Sequence, residues 1–88
     1  MRVFVGNIDY ESTVEQLTEL FEHEIGPVEN IYFACDRRTG RFRGFAFVSF
    51  VADGDGERAI ELLNGVVFND RKLTVKEATP MPTRYNRY

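Results

Sequence analysis

Within its 88 residues the chain has one cysteine, one histidine, three prolines and no tryptophan. Cys35 has no partner for an internal disulfide, and His23 and two methionines are the only other soft donors, so neither a disulfide framework nor a metal cluster is expected. No apolar run reaches the length of a membrane span or of a signal-peptide core. The expected location is therefore cytoplasmic or otherwise intracellular, with no membrane partner. The sequence contains no internal repeat and no low-complexity tract. It also lacks a glycine-rich phosphate loop after its first apolar segment and any nucleophile paired with a base, which argues against an enzyme and against a bound cofactor.

What is present describes one small folded domain. Hydrophobic residues make up 43% and charged residues 28%, a globular balance in a chain just long enough for a single core. The net charge of -3 conceals a segregation. Residues 9 to 29 hold seven acids and no lysine or arginine, whereas residues 37 to 43 hold Arg37, Arg38, Arg41 and Arg43 and no acid. A polyanion responds to such a local basic patch rather than to the sum.

The central stretch is Arg43-Gly44-Phe45-Ala46-Phe47-Val48-Ser49-Phe50. A strand sends alternate side chains to opposite faces, so Gly44, Ala46, Val48 and Phe50 share one face and Arg43, Phe45, Phe47 and Ser49 the other. The first set suits packing under helices. The second set is either a second buried layer or an exposed aromatic and cationic platform on which unpaired bases would stack. Taken alone, the strand leaves both readings open.

The flanking sequence narrows the choice. Val3 to Ile8 forms a first strand with Phe4 opposite Val3 and Val5. Ser12 or Thr13 caps a helix, each followed by a glutamate or glutamine three residues on, and Val14, Leu17, Leu20, Phe21 and Ile25 form its core stripe. Gly26-Pro27 ends it. Val28 to Cys35 is a second strand with Ile31 and Phe33 inward and Tyr32 and Ala34 on the opposite face. The basic turn Asp36 to Arg41 then leads into the central strand. Asp53 caps a second helix that runs to about Asn64, with Ala59, Ile60 and Leu63 inward. Gly54 and Gly56 weaken its first turn, and Gly65 marks its end. A short hairpin through Asn69-Asp70 leads to a last strand, Lys72 to Ala78, in which Leu73 and Val75 face the core and Lys72, Thr74 and Lys76 face away. The order strand, helix, strand, strand, helix, strand predicts an α+β, ferredoxin-like βαββαβ sandwich, a four-stranded antiparallel sheet with two helices on one face. Two helices cover one side only. The side holding Phe4, Tyr32, Phe45 and Phe47 is then open, unless the tail folds over it. Residues 1 to 78 are expected to form the domain and residues 79 to 88 a flexible tail in which Tyr85 and Tyr88 alternate with Arg84 and Arg87.

Residues 2 to 78 resemble the RNA recognition motif family. Arg43 to Phe50 fits the family octapeptide at all eight positions, and Val3 to Ile8 fits the companion hexapeptide. Asp36, Thr39-Gly40, Ala59-Ile60, Leu63-Asn64-Gly65 and Val75 to Ala78 also fall where the family has them. The short chain is most similar to small single-domain members of bacteria and organelles. Three features depart from the pattern. The end of the first helix, Leu20 to Gly26, is one residue longer, Gly56 stands where alanine is usual, and Phe42 replaces a polar loop residue, either to reach a ligand or to close the hairpin. The resemblance implies that Phe4 and Phe45 each stack a base, that Phe47 packs against the sugars between them, and that Arg43 holds a phosphate. Tyr32, Lys72, Thr74 and Lys76 would extend this surface, and Arg37, Arg38 and Arg41 would clamp the backbone. The expected partner is single-stranded RNA, with single-stranded DNA a second candidate, in post-transcriptional regulation by a monomer. A competing expectation is a protein-interaction module that uses the sheet or the acidic helices.

Overall fold

A computed structural model describes residues 2–78. The tail residues Arg84, Tyr85, Arg87 and Tyr88 lie outside them. The first strand, β1, spans Arg2–Gly6, with Val3 and Val5 fully buried and Phe4 half-buried on the other side. The first helix, α1, spans Val14–Glu24 and starts at a capping box: the Thr13 hydroxyl accepts from the Gln16 amide, and the Gln16 side chain accepts from the Thr13 amide. Leu17 and Phe21 form its buried stripe, and Ile25, in the segment that is one residue longer than the family pattern, is buried as its C-cap.

Strands β2 (Val28–Cys35) and β3 (Phe42–Phe50) follow as a hairpin. The second helix, α2, spans Asp55–Leu63 and buries Ala59 and Leu63. Two short strands, β4 (Val67–Phe68) and β5 (Arg71–Lys72), close around Asn69 and Asp70, both with left-handed φ (49° and 71°), the geometry of a type I′ turn. Strand β6 is Thr74–Glu77. The main sheet has the order β2-β3-β1-β6 and is antiparallel throughout. The core lies between it and the two helices, with Val3, Val5, Ala46, Val48 and Val75 from the sheet meeting Leu17, Phe21, Ala59 and Leu63 from the helices.

Three expectations need correction. Asp53 does not cap α2: residues 52 to 55 form a turn closed by the Asp55 amide on the Ala52 carbonyl. The helix begins at a Gly54 N-cap without a side-chain bond. Its first turn is tied instead by the largely buried Asp55 carboxylate, which pairs with Arg58 at 2.7 Å. Lys72 does not belong to the last strand. It pairs with Val67 in the small hairpin, and Leu73, buried at the corner, separates that hairpin from β6. Ala34 is buried rather than open beside Tyr32. The ladder slips between Phe33 and Cys35, which are two residues apart on β2 but face Ala46 and Phe42 of β3.

Candidate nucleic-acid interface

The strict alternation of β3 survives folding. Gly44, Ala46, Val48 and Phe50 are buried, Phe45, Phe47 and Ser49 are half-buried, and Arg43 is exposed. Register then carries the open face across the sheet. Phe47 stands opposite Tyr32 on one side and Phe4 on the other, and Phe4 stands opposite Lys76. One row of side chains thus runs Tyr32, Phe47, Phe4, Lys76 over all four strands. The ring centroids are 6.2 Å apart for Tyr32 and Phe47 and 5.7 Å for Phe47 and Phe4. Phe45 joins from the adjacent row, 5.8 Å from Phe4 with the ring planes inclined by 30° and 6.0 Å from Phe47 edge-on.

Gly6 makes room for this cluster. A Cβ there would meet the Phe4 ring at 2.7 Å, so the missing side chain is what lets Phe4 lean along β1 toward Phe45. Tyr32, on the outer strand, is 58% exposed.

Each of the three phenylalanines has a cation over it. The Arg2 guanidinium lies 4.7 Å from the Phe47 centroid, Lys76 Nζ 5.4 Å from Phe4 and the Arg43 guanidinium 5.8 Å from Phe45. Such contacts hold a long cationic side chain at the ring until a better partner arrives, each worth about 0.5 to 1 kcal/mol at exposed sites. Arg2 was absent from the residues the sequence pointed to, although alternation along β1 places it on the face of Phe4. Thr74 is exposed beside Gly6.

The arginine turn between β2 and β3 is built on Asp36. Its carboxylate accepts from the Arg38 amide at 2.7 Å and the Thr39 amide at 3.1 Å, its carbonyl accepts from the Gly40 amide, and its own amide donates to the Arg41 carbonyl. The turn leaves Arg37, Arg38 and Arg41 exposed at one end of the sheet. Donation from the Thr39 and Arg38 amides, helped by the charge of Arg43, holds the Asp36 carboxyl below its ordinary value of 3.8. A carboxyl lowered by folding stabilises the turn above the ordinary carboxylate range, and that contribution is lost as pH falls through the lowered value. In an acid titration followed by nitrogen-proton correlation spectra, the Arg38 and Thr39 amides should therefore move with a midpoint below 3.8. A midpoint at or above it would show that the turn does not depend on this carboxylate.

At the far end of β1, Asn7 adopts a left-handed φ of 60°. Its Oδ1 accepts from Arg71 Nη2 at 2.6 Å and Nε at 3.2 Å, and its Nδ2 donates to the Lys72 carbonyl at 2.7 Å. This clamp fixes the β4–β5 hairpin beside the open face and leaves the Lys72 side chain exposed. Neither Asn7 nor Arg71 stands out in the sequence. Their pairing spans 64 residues, and no local pattern announces it.

The fold and this face define an open-faced binding domain, a βαββαβ sandwich that carries rings and cations on the side its helices leave bare. Residues 3–74 match the family model for the RNA recognition motif, and the chain belongs to that family. It is a family of RNA-binding rather than catalytic domains. Among curated proteins it is 42% identical over 84 residues to RbpF of Nostoc sp. (strain PCC 7120 / SAG 25.82 / UTEX 2576), whose name describes RNA binding, covering 96% of this chain and 79% of that one. Among solved structures it is similar to an RNA binding protein called PG1, with a TM-score of 0.84 and 44% identity over 93% of this chain and 98% of that one. It is also similar to a chain of the Sxl-lethal protein/RNA complex, with a TM-score of 0.86 and 33% identity over 93% of this chain and 48% of that one.

Proposed function

We propose that the protein binds single-stranded RNA on the open face of its sheet and acts on transcripts after they are made. The observation that carries this reading is the unbroken row Tyr32, Phe47, Phe4, Lys76, with Phe45 packed beside it. Phe4 and Phe45 each stack one base, and Phe47 packs against the sugars that join them. On binding, Arg2, Arg43 and Lys76 leave the ring faces for the phosphates, so the cations that cover the free platform become the groups that fix the strand. Arg37, Arg38 and Arg41 follow the backbone from the turn, while Lys72 and Thr74 border the opposite end.

A stacked base contributes roughly 1 to 3 kcal/mol, whichever base it is. Two or three stacks give about micromolar affinity once ordering of the strand is counted, with little base preference. Single-stranded DNA offers the same ring faces and would compete. A fluorescent uridine oligomer titrated at several salt concentrations tests the reading. Affinity should fall linearly on a double-logarithmic plot, and replacing Arg37 and Arg38 by glutamine should make the slope shallower by about 0.7 for each phosphate that is no longer neutralised. An unchanged slope in that variant would remove the turn from the interface.

A further inference from the structure

Tyr10, in the loop between β1 and α1, is 68% exposed, yet it has a fixed place. A Cβ on Gly44 would come within 3.2 Å of the tyrosine ring, so the ring lies against the backbone of β3. Gly44 has a φ of +92° and its carbonyl accepts from the Ile8 amide, which anchors the start of the same loop. Gly44 belongs to the helix-side face of β3, so Tyr10 sits on the opposite side of the strand from Phe45. Phe42 is on that side too. It stacks on Phe33 with centroids 3.7 Å apart and planes 7° from parallel, and Phe33 stands opposite the buried Ala46. Tyr10, Phe42 and Arg41 line an open groove of about 450 Å³, within the range of about 300 to 1,000 Å³ typical of small-ligand sites.

We infer that this groove is a second base-stacking site, which takes a nucleotide of an RNA strand that has passed over the platform and turned around the end of β3. The inference rests on the platform reading of the sheet. Aromatic walls with one guanidinium are suited to a base and its phosphate. The groove is also continuous with the proposed interface. Phe42 and Phe45 are three residues apart, about 10 Å along a strand. Arg43 stands at the platform's margin over Phe45, and Arg41 stands in the groove wall. A phosphate path therefore leads from one face to the other, with Phe42 between its two cations. This gives Phe42 a dual part: it closes the hairpin on Phe33 and offers its other surface to the groove.

The test compares uridine oligomers of about four and about ten nucleotides, the shorter able to fill the platform alone. Tyr10→Leu keeps an apolar cover on Gly44, and Phe42→Leu keeps one on Phe33. Each should weaken binding of the longer oligomer about five- to 150-fold, the worth of one stacked base, and leave the shorter unchanged. The Gly44 amide and the Tyr10 ring resonances should move with the longer oligomer only. Equal loss for both lengths would mean that the substitutions act through the platform, and loss for neither would mean that no base enters; either overturns the inference. So would concentration-dependent shifts at Tyr10 without RNA, which would assign the groove to a second copy of the chain. Phe45→Ala should weaken both lengths alike. If it weakens neither, the platform reading fails, whatever Tyr10 shows.

Discussion

Replacing Phe4 and Phe45 together by alanine is expected to remove most affinity for a short single-stranded oligomer, and each single replacement should lower it about five- to 150-fold. The two rings are 5.8 Å apart, so the double variant should lose less than the sum of the single losses. Both side chains are half-buried on the side of the sheet opposite the two helices, and the packed core is on the helix side. The variants should keep the far-ultraviolet spectrum of the parent. Phe45→Leu separates stacking from packing, because leucine restores apolar bulk without a π face. It should bind nearly as weakly as Phe45→Ala while recovering thermal stability. If Phe45→Leu bound like the parent, the ring would serve only as cover for the sheet.

The sequence exposes this arrangement because alternation is a local property of a strand. The two faces of β3 follow from residues 43 to 50 alone, and the element order then decides which face is bare. The Thr13 capping box is legible for the same reason, its partners being three residues apart. What escaped depends on geometry between elements. Asp53 has the chemistry of a cap, yet a turn closed by Asp55 and Ala52 moves the cap one residue on, to Gly54. Ala34 is buried because the ladder slips beside it, and alternation cannot foresee a slip. Lys72 to Ala78 has the alternation of one continuous strand, but the Asn7 clamp and the buried Leu73 break it into two. Tyr10 lies in a polar loop whose composition gives no hint that Gly44, 34 positions later, offers it a flat backbone to rest on.

Phe21→Ala should show the reverse of the platform variants: a large loss of stability with binding intact. Phe21 is fully buried in α1, and its ring is 6.0 Å from that of Phe50 on the core face of β3. Deleting a ring from such a site costs about 3 to 5 kcal/mol through forfeited transfer energy and the cavity left behind. A chain of 88 residues has only roughly 4 to 13 kcal/mol in total. The melting temperature should fall by on the order of 20 °C. Well below that temperature the variant should bind RNA as the parent does, since the sheet lies between Phe21 and the bare face. Linkage makes the contrast measurable in one experiment. A ligand at 100 times its dissociation constant stabilises the folded state by about 2.7 kcal/mol. Saturating oligonucleotide should therefore raise the melting temperature of Phe21→Ala as clearly as that of the parent, and the same concentration should raise that of Phe45→Ala much less. If RNA instead stabilised Phe45→Ala as strongly as the parent while failing to rescue Phe21→Ala, the ligand would be held on the helix side, and the platform would have to be abandoned.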